Sequence, residues 1–289
     1  MTFREKLVSG QKVITAEITP PHGPDPLHFR EKARELKSHF DALNVTDNQR
    51  ALMRMSNLAT AAMLVQEGVE PIYQLTCRDR NTIALQSDLL GASALGIPNV
   101  LCLTGDPVRA GHFEAKSVFE VESVGLLRML GNLQNGKDSA GKDLDSKLNI
   151  FPGAVVNPSA KRVDGQIRRM EKKIEAGAQF FQTQAVFSAT VFEEYAKQAA
   201  HLKVPTIAGV LIVQSLKTAR FLQKKVPGVF VPDEMFEVLE KAEDPKKAGL
   251  EYAARLSRDL LGMCQGVHLM AIRDESVVID VVNIGKLRS

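Results

Sequence analysis

The chain has 289 residues, 44% of them hydrophobic, which is enough to bury a sizeable core as one α/β barrel or as two smaller domains. Its 37 Lys and Arg residues against 34 Asp and Glu leave a formal charge of +3 without a basic stripe or an acidic tail, which argues against nucleic-acid and membrane partners and favours a small or anionic ligand. Three cysteines without a C-x-x-C pair, no secretory signal and no apolar run near the roughly 18 residues of a membrane span predict a cytoplasmic protein.

Short apolar, β-rich runs alternate with longer segments of helical periodicity along the chain. In chain order, the strand-like runs are residues 13–19, 42–46, 71–76, 99–104, 150–157, 179–186, 205–213 and 267–272. Strict alternation with nearly continuous apolar strands favours a parallel sheet covered by helices. Eight repeats predict a (β/α)₈ TIM barrel, with residues 1–289 as one domain.

The competing fold is a doubly wound open sheet, which a glycine-rich phosphate turn after the first strand would favour. The stretch "EITPPHGPDP" is rich in proline and contains no G-x-G-x-x-G, so the barrel is preferred. Residues 134–149 are polar and predict an inserted loop before the fifth strand, and residues 226–249 predict an extra helix before the eighth.

Polar side chains late in the strands are the candidates for function, because barrel enzymes work at the carboxyl ends of their strands. Only two carboxylates, Glu17 and Asp106, come directly out of a strand without an obvious basic neighbour. Burial disfavours an ionised carboxylate, so the pKa should rise and the group could act as a general acid. The alternatives are that Glu17 pairs with a buried cation and that Asp106 caps the next helix.

Other chemistries find less support in the sequence. None of the strand-like runs ends with a lysine that could form a Schiff base, and no G-x-S-x-G elbow occurs. The six histidines are scattered rather than clustered as metal ligands would be, so no metal site is predicted.

A series of motifs in chain order resembles one known family. "AEITPPHG", "LNVTDN", "QLTCRDR", "VLCLTGDP" and "AGAQFFQTQAVF" are each similar to segments of methylenetetrahydrofolate reductases, and each lies at a predicted strand end or in the following loop. The resemblance covers essentially the whole chain. It implies a flavin-dependent barrel that reduces 5,10-methylenetetrahydrofolate to 5-methyltetrahydrofolate.

The resemblance also implies roles for individual residues. Glu17 matches the general acid that protonates N10 of the folate, which would explain a carboxylate inside an apolar strand. Asp106 matches an aspartate near both flavin and pterin, and Gln184 matches a glutamine that hydrogen-bonds the pterin edge. Leu216 and Arg273 fall at further positions expected to contact the substrate.

The implied cofactor is FAD, with FMN as the alternative. The flavin ring is expected among Thr46, Gln74, Thr104, Gly105 and Asp106. Its ribityl and phosphate groups are expected to run toward Phe119, Gly153, Ala154, Asn157, Gln166, Arg169 and Lys173. The last three are spaced by three and four residues and so share one helix face, where the cations could hold a diphosphate. Without the resemblance, an ordinary solvated charged face would be the preferred interpretation.

Departures from the family pattern leave the electron donor open. Gln74 stands where many relatives have His, and Thr104 precedes Gly105 where they have Arg. Leu216 replaces an aromatic residue that stacks on nicotinamide or pterin in relatives that use NAD(P)H. The donor is therefore either NAD(P)H or a partner electron-transfer subunit, and a homo- or hetero-oligomer is expected. A non-catalytic folate- or flavin-binding homologue, or a scaffold subunit of a larger complex, is the alternative function.

Overall fold

A computed structural model describes residues 1–111, 114–226, 229–272 and 274–288. Eight parallel strands close into a barrel in chain order, so the predicted (β/α)₈ fold is confirmed. The strands are β1 Val13–Ile18, β2 Ala42–Val45, β3 Pro71–Thr76, β4 Asn99–Leu103, β5 Phe151–Val156, β6 Phe180–Ala185, β7 Thr206–Leu211 and β8 Gly266–Met270. Each predicted strand is present, and its ends differ from the predicted ones by no more than about two residues. Such a difference is within the usual uncertainty of where an element ends.

One helix precedes the first strand, and the other helices follow the strands on the outside of the barrel. They are α1 Phe3–Val8, α2 Leu27–Leu36, α3 Asn57–Gln66, α4 Thr82–Ala94, α5 Ser123–Gln134, α6 Val163–Glu175, α7 Ala189–Ala199, α8 Leu216–Lys225, α9 Asp233–Lys241, α10 Pro245–Leu261 and α11 Val277–Gly285. The predicted extra helix before the eighth strand is α9. The predicted loop 134–149 contains one antiparallel bridge, between Lys137 and Asp143. None of the helices in the described ranges is long and apolar enough to cross a membrane.

Several helices begin at a polar side chain that immediately follows the strand connection. Ser56, Asn81, Ser188 and Ser215 each accept a backbone N–H of the first turn of α3, α4, α7 and α8, respectively. Such caps satisfy donors that have no partner within the helix. They therefore fix where each helix begins relative to the strand before it.

The amino-terminal end of the barrel interior is closed by an apolar plug. We define the plug as Phe3 and Leu7 of α1 with Val13, Ala42, Ile72, Leu101, Phe151, Phe180 and Ile207 of the strands. The Phe180 ring stacks on Phe151 at 5.1 Å between centroids and meets Phe3 edge-on at 5.4 Å. Helix α1, which the strand pattern did not predict, thus seals this end.

Above the plug, the interior becomes polar. Asn44 and Gln182 exchange two amide hydrogen bonds across the barrel, of 2.7 and 3.1 Å. Thr15 Oγ1 lies 3.0 Å from His268 Nδ1, and burial lowers the pKa of His268 to about 3, so this histidine is neutral. Alternation along the strands then places the next inward side chains at the carboxyl-terminal end, which we call the mouth.

Candidate active site

Glu17 is the uppermost inward residue of β1, and its exposed fraction is 8%. The Gln49 amide donates to its Oε1 at 3.2 Å. Burial, followed by the charge of Glu275, raises the pKa of Glu17 to about 7, while hydrogen bonds from Gln49 and Gln74 oppose the rise. Ion pairs found in the described parts of the chain do not include Glu17. Among the described residues no cation pairs with this carboxylate, and the group is suited to keep a proton near neutral pH.

A second carboxylate, Glu275, lies beside the end of β1 and was not singled out from the sequence. Its Oε1 accepts the backbone N–H of Thr19 at 2.7 Å. Its pKa is raised, chiefly by burial. Its position could have been inferred from the closure of the predicted barrel. In a closed barrel β8 pairs with β1, so an acid shortly after β8 lies near residues that follow Glu17.

The connection after β2 reaches across the mouth to Glu17. Asn48, Arg50 and Ala51 all have positive φ, at 46°, 57° and 55°, a conformation that costs energy for residues other than glycine. Between them, Gln49 contacts Glu17. The Arg50 guanidinium lies 5.7 Å from the ring centroid of Phe221 in α8. The strained loop thus links β2, Glu17 and α8.

Thr46 and Gln74 lie at the mouth, where the resemblance placed them. Thr46 is fully buried, and its hydroxyl has no hydrogen-bond partner among the described residues. The neighbouring Asp47 is already engaged, because it accepts from Thr76 Oγ1 at 2.7 Å and from the Arg80 guanidinium at 2.8 Å. The hydroxyl of Thr46 is therefore a buried hydrogen-bonding group left unsatisfied at the mouth.

Thr104, Gly105 and Asp106 form the turn that follows β4. Thr104 Oγ1 accepts the N–H of Ser123 at 3.2 Å and so holds the start of α5. Gly105 has a φ of +97°, and a Cβ there would lie 3.0 Å from Cβ of Arg78, so the turn requires glycine. Asp106 is exposed, and its carboxylate forms no ion pair or hydrogen bond with described residues. Helix α5 is thus held by Thr104 rather than capped by Asp106.

Gln184 lies in an irregular part of β6. The pairing of β6 with β7 shifts register between Gln182 and Ala185, as in a β-bulge. Thr183 Oγ1 accepts from Gly209 N at 2.9 Å and donates to the Gln184 carbonyl at 2.7 Å, which fixes the bulge. The side chain of Gln184 is exposed. Leu216 begins α8 and packs half-buried on the outer core, whereas Arg273 lies outside the described residues.

The residues expected near the cofactor phosphates gather beside the end of β5. Gln166 Oε1 accepts the N–H of Asn157 at 3.3 Å, and Lys173 Nζ donates to the Val155 carbonyl at 2.7 Å. Burial, followed by the charge of Arg169, lowers the pKa of Lys173. Arg169 itself is exposed. Lys173 is thus held against the strand end, and Arg169 lies one turn before it on the same helix, exposed to solvent.

Three other expected cofactor residues are placed differently. A Cβ on Gly153 would lie 2.2 Å from the Phe180 ring, so this glycine is required by the packing of the plug. Ala154 is buried on the outer face of β5, between sheet and helices. Phe119 is half-buried with a φ of 42° in the loop before α5. The structure therefore does not bring Gly153 and Ala154 to the mouth.

Across the described ranges, no three His, Cys, Asp or Glu side chains converge as metal ligands would. Cys77, Cys102 and Cys264 are buried and free. Burial raises the pKa of Cys77 to about 12, so this thiol is protonated and unreactive at neutral pH.

Comparison with known proteins places the whole fold in one family. The family model described as methylenetetrahydrofolate reductase matches residues 2–285. The "Probable methylenetetrahydrofolate reductase (NADPH)" of Caenorhabditis elegans is 24% identical over 235 residues, which are 78% of this chain and 34% of that protein. The "5,10-methylenetetrahydrofolate reductase" of Salmonella typhimurium is 24% identical over 261 residues, which are 88% of this chain and 82% of that protein.

The chain spans only about a third of the length of the C. elegans relative. Among solved structures, a protein from Clostridium thermocellum that binds two copies of 5-methyl-5,6,7,8-tetrahydrofolic acid superposes with a TM-score of 0.70. It is 15% identical, and the match covers 98% of this chain and 97% of that one. An oxaloacetate acetylhydrolase superposes with a TM-score of 0.54. It is 10% identical, and the match covers 99% of this chain and 85% of that one. At such identities, these structures show a shared barrel.

Proposed function

Because this chain belongs to the methylenetetrahydrofolate reductase family, we propose that it reduces 5,10-methylenetetrahydrofolate to 5-methyltetrahydrofolate with the help of a bound flavin. The observation that carries the proposal is Glu17: a buried carboxyl at the mouth of the barrel whose pKa is raised to about 7. A carboxyl that keeps its proton near neutral pH is suited to general acid catalysis.

The folate chemistry requires such a donor. The methylene group bridges N5 and N10, and opening of that bridge leaves negative charge on N10 unless a proton arrives. Glu17 would deliver its proton to N10 as the C–N10 bond breaks, which leaves a cationic iminium at N5 ready for reduction. Asp106, exposed on the adjoining rim, would stabilise that cation, and Gln184 would hydrogen-bond the pterin edge.

The residues present fit a flavin at the mouth. The buried hydroxyl of Thr46 offers an unsatisfied hydrogen-bonding group beside Gln74 on the neighbouring strand, and Arg169 with Lys173 offers positive charge where phosphates would lie. Either FAD or FMN would supply the two electrons of the reduction. Gly153 and Ala154 are left out of the proposed site because both are enclosed in the core.

The source of electrons follows less directly from the site. Leu216, at the start of α8, presents no aromatic face for stacking on nicotinamide. We propose that a partner electron-transfer subunit or NAD(P)H reduces the flavin. Homo- or hetero-oligomerisation, a cytoplasmic location and the assignment of Arg273 to folate binding stay predictions from the sequence.

The test separates the two half-reactions of the purified protein. Glu17→Gln removes the proton donor but keeps the shape of the side chain, so reduction of the flavin by dithionite or viologen should proceed as in the wild type. Oxidation of the reduced enzyme by methylenetetrahydrofolate, followed by stopped-flow absorbance, should slow about 10²- to 10⁴-fold.

Glu234→Gln is the matched control, because Glu234 is an exposed glutamate of α9 that pairs with Arg255. It should leave both half-reactions unchanged. Reduction of methylenetetrahydrofolate at the wild-type rate in Glu17→Gln would refute the role of Glu17. A protein that takes up neither FAD nor FMN would instead support the non-catalytic alternative.

A further inference from the structure

Glu275 lies close to Glu17 because the barrel closes between β8 and β1. Ala16 pairs with Leu269, so the chain that leaves β8 passes beside the end of β1. There the carboxylate of Glu275 binds the backbone N–H of Thr19 at 2.7 Å. Thr19 follows the last residue of β1 and stands two residues beyond Glu17, so its Cα lies no more than about 7 Å from that of Glu17.

The two carboxyl groups have unequal surroundings. Glu275 accepts the backbone N–H of Thr19, and the charge of Lys32 in α2 favours its ionised form. Among the described residues, the groups that hydrogen-bond Glu17 are the neutral amides of Gln49 and Gln74.

Below Glu17, the buried His268 is neutral and supplies no positive charge. The ionised form is therefore better supported at Glu275 than at Glu17.

We propose that Glu275 is a positioning residue that keeps the catalytic proton on Glu17, through a carboxylate pair that spans the closure between β1 and β8. The inference rests on the function proposed above for Glu17. Glu275 touches neither folate nor flavin in this scheme and acts through its charge.

The proton shared by the two carboxyl groups would move in a defined order during turnover. Ionisation of both carboxyl groups close together and out of water is unfavourable, so a single proton stays with Glu17, which has neutral amide partners, rather than with Glu275, whose ionised form Lys32 favours. When the proton of Glu17 passes to N10, Glu17 becomes a second carboxylate beside Glu275. Their repulsion favours uptake of a new proton from water by Glu17, which restores the starting state.

The test measures the pKa of Glu17 itself. Protein labelled with ¹³C at the glutamate carboxyl carbon is titrated by NMR, and the Glu17 signal is assigned from its loss in Glu17→Gln. Glu275→Gln keeps an acceptor for the Thr19 N–H but removes the charge, so the pKa of Glu17 should fall by about one unit. Glu275→Asp keeps the charge and should retain most of the raised pKa.

Asp280→Asn is the control, because it removes an exposed negative charge from α11, the helix that follows Glu275. It should leave the pKa of Glu17 unchanged. Glu275→Ser provides the same loss of charge should Glu275→Gln fail to fold. An unchanged pKa of Glu17 in both charge-removing variants would overturn the proposal.

The pH profile of methylenetetrahydrofolate reduction tests the same coupling during the reaction. Its midpoint should move to lower pH in Glu275→Gln and return toward the wild-type value in Glu275→Asp. A fall in the pKa of Glu17 in Glu275→Gln, without any effect of Glu17→Gln on the reduction of methylenetetrahydrofolate, would refute the proposed function but not the coupling. The converse result, an inactive Glu17→Gln with an unchanged pKa in Glu275→Gln, would refute the coupling alone.

Discussion

The two ends of the barrel interior are built from the same alternation of strand residues but serve different purposes. At the amino-terminal end, Phe3, Phe151 and Phe180 pack their rings together and exclude polar groups. At the mouth, the described residues bury Glu17 without a cationic partner and Thr46 without a hydrogen bond. The plug satisfies the rules of stable packing, whereas the mouth breaks them, as functional sites commonly do.

The largest expected effect on stability comes from opening the plug. Phe180→Ala removes a fully buried ring that stacks on Phe151 and covers Gly153. The free energy of unfolding in urea should fall by about 3–5 kcal/mol, because the lost contacts leave a cavity. A loss below about 1 kcal/mol would show that the plug does not hold the barrel together.

At the mouth, in contrast, replacement of the buried Glu17 should stabilise the protein. The pKa of Glu17 is raised to about 7 in the folded state from the ordinary value of 4.5, so the unfolded chain loses this proton at lower pH than the folded one. The cost of burying Glu17 therefore begins as pH rises above about 4.5 and is complete above about 7.

Glu17→Gln removes that cost. Relative to the wild type, it should gain on the order of 3 kcal/mol at pH 8 and little at pH 4, since each pKa unit corresponds to about 1.4 kcal/mol. Urea unfolding at both pH values measures the difference. An equal effect of the substitution at pH 4 and pH 8 would contradict the raised pKa.

The smallest expected effect concerns Thr46. Thr46→Val removes a hydroxyl that has no partner among the described residues and should change the free energy of unfolding by less than about 1 kcal/mol. If the hydroxyl binds the flavin, the affinity for FAD or FMN should fall about fivefold, as measured by fluorescence quenching on titration of the apoprotein. An unchanged affinity would place the ring elsewhere.

The strand pattern predicted the barrel because the signals it needs are local. The eight strands recur as apolar runs, and Glu17 stands out because it interrupts one of them. Glu275 and Phe3 carry no such signal. Glu275 becomes relevant only when β8 closes on β1, and Phe3 only when α1 folds beneath the barrel.

The surroundings of Gly153 and Gln184 also depend on contacts between distant segments. Gly153 was assigned to the cofactor, yet the ring of Phe180 occupies the space beside it. The exposure of Gln184 depends on a register shift between β6 and β7 that spacing along the chain does not encode. The pattern of residue types along a strand predicts which side of the sheet a residue faces. Which residue of another segment it contacts there is decided by the tertiary fold.

The central claim is that the mouth holds a protonated carboxyl near neutral pH, and infrared spectroscopy tests it most directly. Wild-type protein minus Glu17→Gln, recorded in D₂O across a pH series, should show the C=O stretch of a protonated carboxylic acid that disappears with a midpoint near 7. A difference spectrum that shows only carboxylate bands at pH 6 would contradict the account.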